Sequence, residues 1–300
     1  VSNSASLFAR GNYATIDIGG GRIISHNYSS IWTSGYEALI NLNMQKDAEG
    51  NVIDAGNNYL QIEGDVSTAT PYYGSYGTIN VGLNTADSYL KGHFYGAGNN
   101  NLYLRNGAVW DNMPAVTHNW AGGSYSTNNI VSNLSNLYGG VDSAHAGNIY
   151  QHESEELRIQ NLTGYVNAYL GHEIGEDGKA NFDALGNIVV EKATQTDGKN
   201  ANITLLTDRS GIDTSSNEKV INVLNGLAKK LIYKEAAAEP TVDEGEEAGA
   251  AKTTPSINLD GQVGISEGLT AGELVIRLAD LDFSKENGEG SLVAGTLHIP

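Results

Sequence analysis

Residues 102–112 read LYLRNGAVWDN, residues 132–140 read SNLSNLYGG, and residues 156–173 read ELRIQNLTGYVNAYLGHE. Leu102-Tyr103-Leu104 and Leu157-Arg158-Ile159 alternate apolar and polar side chains, then break at Asn106-Gly107 and at Asn161-Leu162-Thr163-Gly164. After each break the alternation resumes, with no helical period between. This is the pattern of a coil of β-strands. One residue in two points inward, and a Gly or Asn turns each corner.

The same pattern extends in both directions. ATIDIGGGRIISHN at 14–27, EALINLNMQ at 37–45 and NYLQIEGDV at 58–66 are short alternating stretches bounded by Gly, Asn or Asp. Gly19-Gly20-Gly21 has the look of a phosphate-cradling loop, but the following RIISHN continues as strand and no helix opens there. A tight corner needing positive φ is the reading that fits. Residues 66–101 are rich in Tyr, Gly, Ser and Asn, with strands expected at Thr78–Leu83 and Ser88–Tyr95. Tyr72, Tyr73, Tyr76, Tyr89, Tyr95 and Tyr103 could form an exposed strip for stacking on sugar rings, or cap corners of the coil.

Further strands at 171–216 are split by hydrophilic loops expected to protrude. In 217–237 the period changes: Val220, Val223, Leu224, Leu227, Leu231 and Ile232 recur at helical spacing, which predicts an amphipathic helix with Asn217 as its cap and Glu218 in its first turn. Gly226 weakens such a helix by about 1 kcal/mol relative to Ala. Residues 238–255 are acidic and aperiodic and read as a flexible loop. Strands return in SINLDGQVGI, ELVIRLADLDF and SLVAGTLHI. The helix and acidic loop are therefore expected to be an insertion in one unit spanning 1–300, the alternative being a boundary near residue 240.

Composition narrows the function classes. The net charge of −18 repels phosphate backbones and anionic membranes, so nucleic acid is not an expected partner. With 40% hydrophobic residues there is material for a core, while 17% charged residues is low. Cysteine is absent, which suits a large β-coil that needs no disulfides and a chain that crosses a membrane unfolded. No apolar run approaches the roughly 20 residues that span a bilayer, so direct membrane insertion of this chain is not expected. The opening VSNSASLFARGN lacks signal-peptide character, and the expectation is a fragment of something longer.

The stretches at 102–170 resemble passenger segments of bacterial autotransporters, the type V secreted proteins. The correspondence falls on Gly107-Ala108-Val109-Trp110, on Leu134 and Leu137 with Gly139-Gly140, and on Leu157, Ile159, Leu162 and Gly164. The resemblance implies a right-handed parallel β-helix, a solenoid, secreted through a C-terminal outer-membrane barrel. That barrel, a series of alternating strands, is missing here. With rungs of about 20–29 residues, as in other solenoids, the chain would make roughly ten to fifteen.

Parallel coils also host polysaccharide-active enzymes, so the carboxylates matter. Asp280 and Asp282 alternate onto one face, and Glu153, Glu155 and Glu156 form a second group. The signatures of polygalacturonase-like enzymes are absent; Gly171-His172 is followed by Glu173. Asp142, Ser143 and His145 lie too close in sequence for a convergent triad, and no Gly-x-Ser-x-Gly elbow is present. His145, His152 and Glu153 do not match a His-Glu-x-x-His zinc spacing, and no calcium-loop repeat occurs. No catalytic residue, cofactor or metal is expected.

The expected function is that of a cell-surface adhesin, anchored through the absent barrel and binding a host surface protein, a glycan or sister cells, with aggregation and biofilm as the outcome. A polysaccharide lyase or hydrolase on the same coil, and a structural stalk, are the alternatives.

Overall fold

In this computed structural model the chain is described over residues 6–68, 77–112, 117–120, 123–126, 131–152, 156–237, 258–266 and 277–296. Two large sheets dominate. The eight-stranded sheet runs, in spatial order, Thr15–Ile18, Leu39–Leu42, Thr78–Leu83, Asn99–Leu104, Val131–Tyr138, Glu156–Thr163, Ile188–Thr194 and Leu231–Tyr233. All its neighbours are parallel. The twelve-stranded sheet takes the strands between: Leu7–Arg10, Gly21–Ser34, Leu60–Thr68, Tyr89–Lys91, Val109–Asn112, Gly147–Gln151, Tyr165–Leu170, Ala201–Asp208 and Leu259–Ser266 form its parallel run. The chain thus enters one sheet and then the other, and each strand lies beside its predecessor from the previous passage. The fold is all-β with parallel sheets, as the alternation of apolar residues predicts.

Two inward columns make the core. In the eight-stranded sheet Leu42, Val81, Leu102, Leu137, Leu162 and Ala193 follow one another in register, all fully buried. In the twelve-stranded sheet the sequence is Ile62, Leu90, Trp110, Ile149, Ala168, Leu205 and Val263. The Trp110 ring lies edge-on to Phe94 at 5.2 Å, and its Nε1–H donates to the Gly92 carbonyl at 2.9 Å, so its one polar group is satisfied inside the core.

The outward face of the eight-stranded sheet carries a ladder of amides. Asn41 donates to Asp17, Asn80 to Asn41, Asn101 to Asn80 and Asn136 to Asn101, each at 2.8–2.9 Å. Each amide gives one hydrogen bond to the strand before it and accepts one from the strand after. Only a parallel, in-register stack of identical side chains supports that arrangement over so many passages. Tyr103 and Tyr138 stack in the next outward register, 4.3 Å apart.

Corners explain the spacing. The expected strand Ser88–Tyr95 is in fact two, Tyr89–Lys91 and Phe94–Gly96, divided at Gly92-His93. There the sheet bends, and Phe94–Gly96 pairs with the second half of Leu60–Thr68. A Cβ on Gly92 would sit 2.3 Å from the Gly64 carbonyl oxygen of the previous passage, so the bend is closed to any other residue. The Asp65 carboxylate locks it, accepting from the His93 backbone N–H at 3.2 Å with Nδ1 of the same buried ring 2.9 Å away. Asn106 and Gly107, both at positive φ, turn the chain between sheets as Asn-Gly predicts. At the other quoted break only Gly164 turns; Asn161-Leu162-Thr163 belongs to the strand Glu156–Thr163.

Three expectations need correction. The eight-stranded sheet counts eight passages among the described residues, not ten to fifteen. Insertions lengthen some passages: successive ladder amides are 21 residues apart at Asn80–Asn101 but 39 at Asn41–Asn80. The helix spans Asn217–Ala228, not 217–237, and Ser216 caps it, its Oγ accepting from the Lys219 N–H. Beyond it Leu231–Tyr233 joins the eight-stranded sheet, where Leu231 and Tyr233 are buried opposite Ile188 and Val190, followed by a single helical turn, Lys234–Ala237. Core-filling in the sheet outweighs helical period there. The acidic loop 238–255 lies outside the described residues. The last strands, Arg277–Asp282 and Ser291–Leu292, add antiparallel to the twelve-stranded sheet.

Candidate functional site

Strand alternation that sends Ile149 and Ala168 into the core sends Tyr150 and Tyr169 out. They are register partners on adjacent strands, Gly147–Gln151 and Tyr165–Leu170. Their rings stack in parallel, 4.8 Å between centroids and 9° apart. Side by side with them Asn167 donates to Asn148 at 3.1 Å. On the preceding strands the same outward register holds Asp111 and Lys91. His152 Nε2 contacts the Asp111 carboxylate, and the Lys91 ammonium sits 5.1 Å from the Tyr89 ring centre. At the far end the Tyr89 hydroxyl donates to Glu63 at 2.9 Å, and Arg22 pairs with Glu63 at 3.3 Å.

These contacts set the charge states. Hydrogen bonds from Tyr89 and then Arg22 hold the Glu63 carboxyl below its ordinary range, so it is ionised at neutral pH. Burial raises the Tyr169 phenol, with the Tyr150 phenol adding to it, so this ring keeps its proton and its donor capacity. The outward face is therefore a regular array, with strands roughly 4.8 Å apart, of phenol hydroxyls, amides and paired charges. It suits an extended partner that offers hydrogen-bonding groups at repeating intervals, backed by aromatic area.

Three of the six expected tyrosines are described, and they do not share a face. Tyr89 lies on the outward face just described. Tyr95 lies beyond the bend, its ring 5.2 Å from that of His93. Tyr103 is on the eight-stranded sheet, packed on Tyr138 under Arg105 and buried, its hydroxyl pushed up to about 12 by burial and by the neighbouring Tyr138. Tyr72, Tyr73 and Tyr76 lie outside the described residues. Tyr150 and Tyr169 escaped the sequence reading, although GNIYQ and YVNAYL alternate cleanly enough to mark both as outward.

The carboxylates weighed for catalysis have structural partners. Asp282 accepts from the Ser284 N–H and hydroxyl, both at 2.9 Å, which makes it a turn cap. Asp280 faces Gln262 on the neighbouring strand at 3.4 Å. Asp142 caps the short helical turn Ser143–His145, accepting from the His145 N–H and ring, and this hydrogen bond holds its carboxyl low. Glu156 pairs with Arg158 at 2.5 Å, while Glu153 and Glu155 lie outside the described residues. The His172 ring is wedged between Thr207 Oγ1 at 2.8 Å and the Ser210 carbonyl at 2.6 Å. Among the described residues no group of three or more His, Asp or Glu could hold a metal ion. No helix among them is long and apolar enough to cross a membrane.

Comparison with family models, with curated proteins and with solved structures finds no match in any of the three.

Proposed function

We propose that this chain is a right-handed parallel β-helix of the autotransporter passenger type, held at a bacterial cell surface through an outer-membrane barrel, and that it acts as a non-catalytic adhesin. The strict alternation of strands between two parallel sheets supports the solenoid reading. The observation that carries the adhesive reading is the outward Tyr150–Tyr169 stack, Tyr150 exposed and Tyr169 half-buried, in register with Asp111 and Lys91 and flanked by Asn148 and Asn167 on one sheet face. Such a face grips by many weak contacts in a row rather than by one deep pocket, and contacts of that kind add when both partners are repetitive. A host glycan, a host surface protein and the same face of a sister molecule all meet that description.

The test is adhesion of microspheres coated with the protein to glycan and matrix-protein arrays and to one another. Replacement of both Tyr150 and Tyr169 by alanine is expected to lower whichever adhesion is found at least tenfold. Unchanged adhesion in that double variant, with the fold intact by circular dichroism, refutes this face as the adhesive surface.

A further inference from the structure

Two insertions leave the coil at the same corner in successive passages. The first follows Tyr165–Leu170 and contains the antiparallel pair Glu173–Ile174 and Ala180–Asn181. The second follows Ala201–Asp208 and contains the helix Asn217–Ala228. Each leaves the twelve-stranded sheet and returns to the eight-stranded one, so they are neighbours by construction of the fold. They touch where Phe182 meets Gly226 and where Ile174 meets Gly211. Between them is a cleft of about 810 Å³, within the range of about 300–1,000 Å³ that holds an organic ligand.

One wall is a helix face, where Lys219, Val223, Gly226 and Lys229 recur at helical spacing; the other is the hairpin segment running from Gly175 to Asp183. Gly226 now has a reason: a Cβ there would meet the Phe182 ring at 3.2 Å, so glycine lets the aromatic seat against the helix. Phe182, Ile212 and Val223 give the cleft its apolar part, and Asn181 and Asn222 bring amides into it.

Its charge is the exception in this chain. The cleft is lined by four lysines and three aspartates. Two of the aspartates are in ion pairs with lysines. Asp177 lies 3.6 Å from Lys179, Asp213 contacts Lys219, and Asp183 acts on Lys230, whose Nζ donates to the Leu185 carbonyl at 2.9 Å. Lys219 and then Ser215 hold Asp213 well below the usual carboxylate range, so its charge is fixed. Lys229 is left over: exposed, at the cleft, and without an ion pair among the described residues. The lining carries one positive charge in excess, on a molecule whose total is −18.

We propose that this cleft binds a carboxylate-bearing sugar of the hexuronate class, its carboxylate on Lys229 and its ring against the half-buried Val223 on the helix wall. Among the described lining residues Lys229 is the one exposed lysine without an ion pair, so a phosphate dianion, facing three aspartates, is disfavoured. A monoanion rich in hydroxyls matches the Lys229 ammonium, while the aspartates accept from its hydroxyls and the two asparagines accept from and donate to them. The site stands on different residues from the tyrosine face and does not depend on it.

Isothermal titration calorimetry of the intact chain with tri-galacturonate, neutral galactotriose and inorganic phosphate tests this directly. Saturable binding of tri-galacturonate alone is expected, weakened about tenfold in Lys229→Gln by loss of one charge-assisted hydrogen bond, and unchanged in Lys199→Gln, an exposed lysine outside the cleft. No saturable binding of tri-galacturonate, equal binding of galactotriose, displacement by phosphate, or full affinity in Lys229→Gln each overturns the proposal. Because Lys229 is exposed, its replacement leaves the fold intact, and the thermal unfolding midpoint of the variant verifies that. Loss of tri-galacturonate binding in Tyr150→Ala would move the ligand to the tyrosine face and also overturn it.

Discussion

Ile149 and Tyr150 are adjacent in sequence and opposite in consequence. Ile149 is fully buried in the column between Trp110 and Ala168. Replacement by alanine removes three carbons, about 2.4 kcal/mol at roughly 0.8 kcal/mol per buried methylene. The cavity left in a column held from both sides raises this to about 3–4 kcal/mol. Tyr150 is 38% exposed, and its replacement loses chiefly the stack on Tyr169. Such a pair is worth about 0.5–1.5 kcal/mol, so Tyr150→Ala is expected to cost about 1–2 kcal/mol in all. Urea titration followed by far-UV circular dichroism measures both, read as midpoint shifts at constant slope. Ile149→Ala should lower the midpoint about twice as far or more. Because a strand repeats every second residue, a slip of one residue exchanges the two faces. Equal losses, or a larger loss in Tyr150→Ala, would refute the register and with it the adhesive face.

Gly92→Ala drives a Cβ into the Gly64 carbonyl and should destabilise the fold by about 2 kcal/mol or more, measured as the shift in thermal midpoint; a shift within error would contradict the stacked bend. Burial, then the neighbouring Tyr138, raises the Tyr103 hydroxyl to about 12 against about 10 unfolded, so this group stabilises the fold fully below pH 10 and the contribution is lost as pH rises toward 12. Alkaline titration at 295 nm should therefore show late-titrating tyrosines that ionise together with loss of structure, and a single phase near pH 10 would count against it. Glu63 is shifted the other way, so its contribution is present above its unfolded value near pH 4 and disappears as pH falls further; Glu63→Gln should flatten the acid limb of a stability-versus-pH curve, and an unchanged limb would discount the Tyr89–Arg22 contacts. If sister molecules adhere through the tyrosine face, two chains of charge −18 must approach, and microsphere self-adhesion should strengthen between 0.01 and 0.15 M salt as the screening length falls from about 30 to about 8 Å.

The strands were legible because their period is a local property. Thr78–Leu83 was readable to the residue, since INVGL alternates between a bulkier column and a polar one. Bends were less so. His93 and Gly92 divide one apparent strand into two for a reason that lies 28 residues upstream, in the Asp65 carboxylate and the Gly64 carbonyl. The helix end was missed on the same ground: Leu231 and Ile232 fit a helical period, and only the vacant edge beside Ile188 and Val189 makes them strand. The expected tyrosines do not gather on one face because proximity in sequence is a poor guide to proximity between successive passages. Tyr89, Tyr95 and Tyr103 lie within 15 residues yet on three surfaces, whereas Tyr150 and Tyr169 touch across one strand spacing. The cleft left almost no local signal beyond Gly226, whose cost to the helix is visible in sequence and whose partner, Phe182, is not.

The parallel register that underlies the whole account can be trapped chemically, because the chain has no cysteine of its own. Asn148 and Asn167 are register partners on adjacent parallel strands whose amides bond on the outward face, and a strand spacing of roughly 4.8 Å puts their Cα atoms within the roughly 4.4–6.8 Å that a disulfide spans. The account predicts that Asn148→Cys/Asn167→Cys closes an intramolecular disulfide under mild oxidation, seen as a mobility shift on a non-reducing gel. Asn148→Cys/Ala168→Cys, with its second thiol directed into the core, should not. Bond formation in the second pair alone, or in neither, would contradict it.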